Sequence, residues 1–372
     1  MPLCAHPPPP VNQAQRLIAR RAAFRRALHA WYRLHQRRLP WRTQPSLYRT
    51  VVSEFMLQQT QIKTALPFFE RWMTALPDFT ALAAAPEAQV LKLWEGLGYY
   101  SRARNLRRLA QALPALPAPP ATPEGWQDLP GVGPYTAAAI TSLAFGTRAA
   151  CVDGNVVRVL ARLAADPTAF RDSATAARHF TPLADALLPS ADPGTHNQAM
   201  MELGALVCRR HDPGCATCPV RRFCAAARLK NPEDYPRLAR KKIHQHAVTR
   251  AWSENEGRLL LQRAASGARR LADQHELPAP ADLGLDDAAV RAGPLLARKR
   301  RGITNHQITE SIHAVRLTAA QRHRLTANTA LRWVPWAELD LITLSGPHRR
   351  WIAEIRSKRC SQQPTVWRPR PG

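Results

Sequence analysis

Leu129–Arg158, LPGVGPYTAAAITSLAFGTRAACVDGNVVR, holds two helix starts of different chemistry. In its first part, Leu129-Pro130-Gly131-Val132-Gly133-Pro134, a glycine turn opens onto the apolar run Tyr135–Leu143. Backbone N–H groups of Gly131, Gly133 and the first helical turn can there face one anion, an arrangement suited to a phosphate. Pro134 fits the first helical position, where its missing N–H costs nothing. In the second part, Val152-Asp153-Gly154-Asn155-Val156-Val157-Arg158, Asp153 stands at the cap of another helix. Free N–H groups and the helix dipole favour its ionised carboxylate, so Asp153 is expected to stay charged. A phosphate grip and a persistent carboxylate therefore lie close together in the chain.

Working outward, the block from Gln15 to about residue 245 reads as all-α. Leu17, Ile18, Phe24, Leu28, Trp31 and Tyr32 follow helical spacing with arginines on the other side, predicting one amphipathic basic helix that Leu39-Pro40-Trp41-Arg42 breaks. Helices are expected over 48–60, 62–76, 79–85, 88–95 and 102–113, ended by Pro or Gly, and again over 175–188 and 196–208. Strand-like apolar runs begin only at 247–252, 258–262 and 308–315. The expected domains are a Pro-rich tail (1–14), a helical domain (15–231), a basic linker (232–246) and an α+β domain (247–372).

Composition restricts what such a chain does. Its 372 residues suffice for two or three domains with full cores. Fifty-three Lys plus Arg against 27 Asp plus Glu give a formal charge of +26, which points to a polyanionic partner, most simply nucleic acid. No run of 18 apolar residues and no signal-peptide order at the N-terminus are present, so a soluble intracellular protein is expected. Four of the seven cysteines crowd into Cys208, Cys215, Cys218 and Cys224, which argues for a metal site and against a disulfide framework. Four thiolates in one short loop suit Zn or an iron–sulfur cluster, and spacing does not choose between them. Cys151, in an apolar setting, is expected to be a buried free thiol.

Glu54 lies on a helix beside Phe55, Met56 and Leu57; burial there raises a carboxyl pKa and lets it keep its proton at neutral pH. A proton-bearing Glu54 and an ionised Asp153 form the pair that glycosidic-bond cleavage needs, one acid for the leaving group and one anion facing the oxocarbenium ion.

VSEFMLQQTQI (52–62), LWEGLGYYSRARNL (93–106), LPGVGPYTAAAI (129–140), VDGNVVRVLARL (152–163), NQAMMELGALVC (197–208) and the four-cysteine loop together resemble the MutY-type adenine DNA glycosylases of the helix-hairpin-helix superfamily. The resemblance implies two helical lobes with DNA between them and a [4Fe–4S] cluster on the four cysteines. It also implies a monomer acting in the bacterial cytoplasm on double-stranded DNA in which adenine is mispaired with 8-oxoguanine or guanine. Carried onto this sequence, Glu54 is the general acid and Asp153 stabilises or traps the sugar cation, with Tyr135 and Asn155 supporting that carboxylate. Gln59 and Tyr99 are the residues that enter the base stack, and Leu39, Trp41, Arg42 and Glu202 line the adenine pocket, while the phosphate grip of Gly131 and Gly133 stands on the glycine turn itself. Base flipping requires such stack-filling side chains. Relatives resembling endonuclease III carry Lys where Tyr135 stands and use its amine to cleave the strand, so base removal without a strong lyase step is expected here.

Residues 247–372 resemble the family's Nudix-like domain through Leu259–Arg263, Trp333-Val334-Pro335 and Pro347-His348-Arg349. The catalytic Nudix box is absent, so no pyrophosphatase activity is expected. The family's Phe-Ser-His turn appears as Thr304-Asn305-His306, which assigns lesion contacts to Asn305 and His306, and Ala264–Leu277 lacks the usual Gly-Leu-Trp character. The alternatives are an endonuclease III-like bifunctional glycosylase and lyase, disfavoured by Tyr135, and a non-catalytic iron–sulfur DNA-binding protein, disfavoured by the presence of both Glu54 and Asp153.

Overall fold

The computed structural model describes residues 13–239, 242–265, 268, 272–303 and 305–362. Most of the Pro-rich tail, Arg240 and Lys241 of the linker, Thr304 and part of Ala264–Leu277 lie outside the described residues. The helices are Gln13–Ala19 (α1), Arg21–His35 (α2), Pro40–Thr43 (α3), Leu47–Leu57 (α4), Ile62–Ala75 (α5), Phe79–Ala84 (α6), Glu87–Leu93 (α7), Ser101–Ala112 (α8) and Pro123–Gln127 (α9). They continue with Pro134–Ala144 (α10), Gly154–Ala164 (α11), Ser173–Leu187 (α12), Pro193–Leu206 (α13) and Ala225–Arg228 (α14), and, later in the chain, Asp287–Arg291 (α15), Ala319–Leu325 (α16) and Gly346–Gln362 (α17). None of the described helices is long and apolar enough to cross a membrane.

One compact unit comprises residues 1–65, 73–84 and 105–240. Its largest core gathers Phe24, Leu28 and Tyr32 of α2 with Val156, Val159 and Leu160 of α11, Phe180 of α12 and Leu203 of α13. The amphipathic N-terminal stretch differs from the single helix its periodicity predicts. It breaks between α1 and α2, where Arg20 leaves helical geometry at φ −102°, ψ 12°; arginine carries no sequence signal for such a break. α4 also ends at Leu57, where Gln58 leaves helical geometry at ψ 109° and Gln59 follows in a left-handed backbone at φ 56°. The only strands in this unit, among the described residues, are Ala169–Phe170 (β1) and Arg237–Leu238 (β2), which pair in parallel.

The other compact unit comprises residues 66–72, 85–104 and 241–372. Its strands are His244–Trp252 (β3), Glu254–Asn255 (β4), Arg258–Arg263 (β5), His275–Glu276 (β6), Leu295–Ile303 (β7), His306–Ala314 (β8) and Leu331–Pro335 (β9). β3 pairs in parallel with β8, and β8 pairs antiparallel with β7, so Asn305 sits in the turn of a β7–β8 hairpin. A second sheet runs β4-β5-β6, with β9 also on β5. Trp252, Leu259, Leu261, Ile312 and Val334 pack with Trp351, Ile352 and Ile355 of α17 into one core, making an α+β architecture. Arg349 of α17 bonds Glu95 at 2.6 Å, and the Leu344 N–H donates to the same carboxylate at 2.8 Å.

Candidate active site

α10 and α11 begin as local rules require. Gly133 caps α10 with Pro134 in the first turn. Gly131 has φ +78°, and a Cβ there would meet the Asn105 side chain at 2.6 Å, so both backbone and packing demand glycine. The Asp153 carboxylate caps α11 by accepting from the Val156 N–H at 2.8 Å. Its other oxygen accepts from Asn155 Nδ2 at 2.9 Å. α13 crosses α11 so closely that a Cβ on Gly204 would stand 2.6 Å from the Asn155 Cβ, which fixes where the Asn155 amide points.

These elements wall a cavity of about 630 Å3. Its lining brings Glu54, Tyr135, Asp153 and Asn155 together with Leu39, Trp41, Arg42 and Glu202, and places Gln59 at its edge. Glu54 is 6% exposed, and burial pushes its carboxyl up to about 7; the Asp153 charge adds to the rise, while a hydrogen bond from Tyr135 and the Arg42 charge oppose it. Tyr135 therefore reaches Glu54, and its hydroxyl also lies 3.1 Å from Met201 Sδ. Burial and the two carboxylates raise the Tyr135 phenol well above its ordinary value, so it remains a donor.

Asp153 departs from the expectation of an undisturbed anion. Burial raises its pKa by more than the Val156 N–H, the Asn155 amide and Arg158 lower it. A helix cap is legible in sequence, whereas the walls that strip water from the cap come from distant segments.

Glu202 is fully buried and ionised. Arg37 grips it through two side-chain bonds of 2.8 Å and a backbone N–H at 2.9 Å, and Arg42 adds a bond at 3.1 Å. Burial alone would raise this carboxyl, but the two guanidinium groups outweigh it and bring it to about 2. Sequence reasoning missed Arg37, Gln198 and Met201 as cavity residues, although the last two lie in the quoted NQAMMELG segment and Arg37 stands just before Leu39.

Gln59 and Tyr99 share an unusual backbone, with φ of 56° and 50°. A left-handed tyrosine costs roughly 1–3 kcal/mol and persists only where its surroundings impose it. Tyr99, in the unit that holds the sheets, is partly exposed, and its ring lies over the guanidinium of buried Arg102 at 5.6 Å. The same Arg102 donates to the Leu97 and Gly98 carbonyls, which braces the turn.

Cys208, Cys215, Cys218 and Cys224 line one small cavity with Arg162 and Arg221. Arg162 Nη1 approaches Cys208 Sγ at 3.3 Å, which places a cation beside that sulfur. Burial and the neighbouring cysteines push Cys218 up to about 12, a cost that a bound metal's positive charge would remove. Among the described residues no group of three or more His, Cys, Asp or Glu closes tightly enough for a single metal ion. A chain of bonds joins the two sites: Arg158 donates to Asn155 Oδ1 at 2.9 Å and to the Cys208 carbonyl at 2.7 Å.

Cys151 is buried beside Ser142, as its apolar setting predicts. In the other unit His306 begins β8, its ring 2.7 Å from His246 through the facing nitrogens, and Asn305 Nδ2 donates to the Lys242 carbonyl at 3.4 Å.

Residues 52–180 match the HhH-GPD superfamily of base excision DNA repair proteins. The chain is 45% identical over 223 residues to an adenine DNA glycosylase of Rattus norvegicus, covering 56% of this chain and 42% of that one. It is 34% identical over 224 residues to an adenine DNA glycosylase of Buchnera aphidicola, covering 59% and 64%. It thus spans less than two thirds of these relatives. Among solved structures, a thermostable thymine-DNA glycosylase superposes with a TM-score of 0.50 at 25% identity, over 57% of this chain and 98% of that one.

Proposed function

We propose that this chain, whose residues 52–180 match the HhH-GPD superfamily of base excision DNA repair proteins, is a MutY-type base excision repair enzyme that hydrolyses the N-glycosidic bond of adenine mispaired with 8-oxoguanine or guanine in duplex DNA. The observation that carries the proposal is a buried carboxyl, pushed up to about 7, and a capped carboxylate lining one cavity of about 630 Å3. That volume lies within the range of small-molecule sites, about 300–1,000 Å3, and accepts a flipped nucleobase. Glu54, with a pKa of about 7, holds a transferable proton near neutral pH. It protonates the leaving adenine, and Tyr135 keeps its carboxyl in place. The Asp153 carboxylate, held by Val156 and Asn155, faces the developing sugar cation. Glu202 is locked between Arg37 and Arg42 and presents a fixed polar wall to the base.

The reaction stops at base removal. A lyase step needs an unprotonated amine beside the sugar; Tyr135 occupies the inner position, and the one lysine among the described lining residues, Lys63, is exposed at the rim. The cation excess and the Gly131–Gly133 helix start receive the duplex backbone.

Four thiols around one cavity, with cations beside them, fit a [4Fe–4S] cluster held by Cys208, Cys215, Cys218 and Cys224. When bound, it would cross-link this loop and supply one-electron redox capacity. Asn305 and His306, at a hairpin turn, present amide and imidazole groups for the N7–H and O8 of 8-oxoguanine.

Glu54→Gln tests the chemistry, since it keeps the shape and removes the proton. Adenine excision should fall at least about a hundredfold while duplex binding persists; excision at the wild-type rate refutes the assignment.

A further inference from the structure

Beside the cavity that holds Glu54 and Asp153, the same compact unit contains a second one of about 410 Å3. Trp41, Arg42, Leu143 and Gln198 line both. Three segments pass along the two cavities in turn. α13 gives Thr195 to the second, Gln198 to both, and Met201 and Glu202 to the first, the steps of one helical face. α4 gives Thr50 and Ser53 to the second, then Glu54 and Leu57 to the first. α2 and the chain after it give Tyr32 and Gln36, then Arg37 and Leu39. The cavities therefore lie end to end, and the four shared side chains make a waist between them.

The rear cavity reaches the surface. Tyr32, Thr50 and Ser53 are buried at one side, whereas Arg33, Gln36, Pro45 and Asp192 are exposed at the other. Inside the charged mouth of Arg33 and Asp192, the Tyr32, Thr50 and Ser53 hydroxyls, the Gln36 and Gln198 amides and the Trp41 ring suit a planar neutral base with donors and acceptors on its edges. At the waist Arg42 stays with Glu202 at 3.1 Å and donates to the Arg37 carbonyl at 3.4 Å, whereas Gln198 is held through its side chain. The Tyr32 hydroxyl donates to Gln198 Oε1 at 2.5 Å, and the Arg42 guanidinium lies 5.8 Å from the Tyr32 ring centre. Rotation of the Gln198 side chain opens a passage without moving a helix or breaking the Arg42–Glu202 pair.

A base freed in the front cavity has the abasic sugar across its entrance for as long as the DNA product stays bound. We propose that the rear cavity is the exit for the excised nucleobase, which passes the waist and leaves while the abasic duplex is still held. This rests on the front cavity being the excision site. No bond changes in the step; the neutral base exchanges contacts in the front cavity for the amides and hydroxyls behind it, and then for water.

The full-length protein, in excess over a duplex carrying radiolabelled adenine opposite 8-oxoguanine, provides the test. At each time one sample is denatured to count all base freed, and another passes a membrane that retains protein–DNA complex, so that only escaped base is counted. Thr195→Trp fills the rear cavity and leaves the front lining intact. Cleavage should keep its wild-type rate, while escape should fall about tenfold behind it, the effect of a modest added barrier; Thr195→Ser should behave as wild type. Gln36→Trp, on the opposite wall, should reproduce the lag and carries the test if the first variant cleaves slowly. Escape that keeps pace with cleavage in the plugged variants overturns the exit route. If the wild-type protein frees no base at all, the excision reading itself has failed, a different result from cleavage with unhindered escape.

Discussion

Replacing Glu54 by Gln should stabilise the protein in a way that depends on pH. Burial raises the Glu54 carboxyl from 4.5 to about 7. The native state therefore holds a proton that the unfolded chain releases, so stability relative to a neutral side chain is intact below pH 4.5 and is lost as pH rises through 7. Each pKa unit is worth about 1.36 kcal/mol. Integrating the shift gives a penalty of about 0.8 kcal/mol at about pH 5 and about 3.4 kcal/mol at about pH 8.5. Glu54→Gln, isosteric and uncharged, removes it. Urea unfolding of both proteins at the two pH values, followed by a probe of the helical unit, should give a gain on substitution about 2.5 kcal/mol larger at the higher pH. Equal gains at both values, or a gain confined to acid, would mean that Glu54 is not desolvated in the native state, and its assignment as the acid would lose its physical basis.

Tyr135→Lys puts an amine beside Glu54 and Asp153; borohydride should then trap a protein–DNA adduct that the wild-type protein does not form, and absence of the adduct would mean that residue 135 does not face the sugar. Anaerobically purified protein should contain about four irons per chain, as a four-thiolate cubane requires, and zinc with no iron would contradict the cluster. Asn305→Ala combined with His306→Ala should lower preference for 8-oxoguanine over guanine by roughly 1–3 kcal/mol per lost contact, read as the ratio of excision rates on the two mispairs. An unchanged ratio would take lesion reading away from this hairpin.

Features set by a few neighbouring residues were legible in the sequence. The glycine turn before Pro134 and the Asp153 cap obey local rules, and the apolar neighbours of Glu54 foretold its burial. Features set by distant segments were not. The raised pKa of Asp153 depends on cavity walls contributed by α4, α10 and α13. The pairing of Glu202 with Arg37 spans 165 positions, and nothing near either residue announces it. The positive φ at Gln59 and Tyr99 was equally hidden, because sequence signals for a left-handed backbone point to Gly or Asn. In Tyr99 the guanidinium of Arg102 helps to hold what local preference opposes.

The most direct test of the account offers the purified protein duplexes with adenine opposite 8-oxoguanine, guanine or thymine and resolves the products with and without alkali. The account predicts free adenine from the first two duplexes, little from the third, and strands that break only after alkali. Strand breakage without alkali, or no adenine release from the 8-oxoguanine mispair, would contradict it.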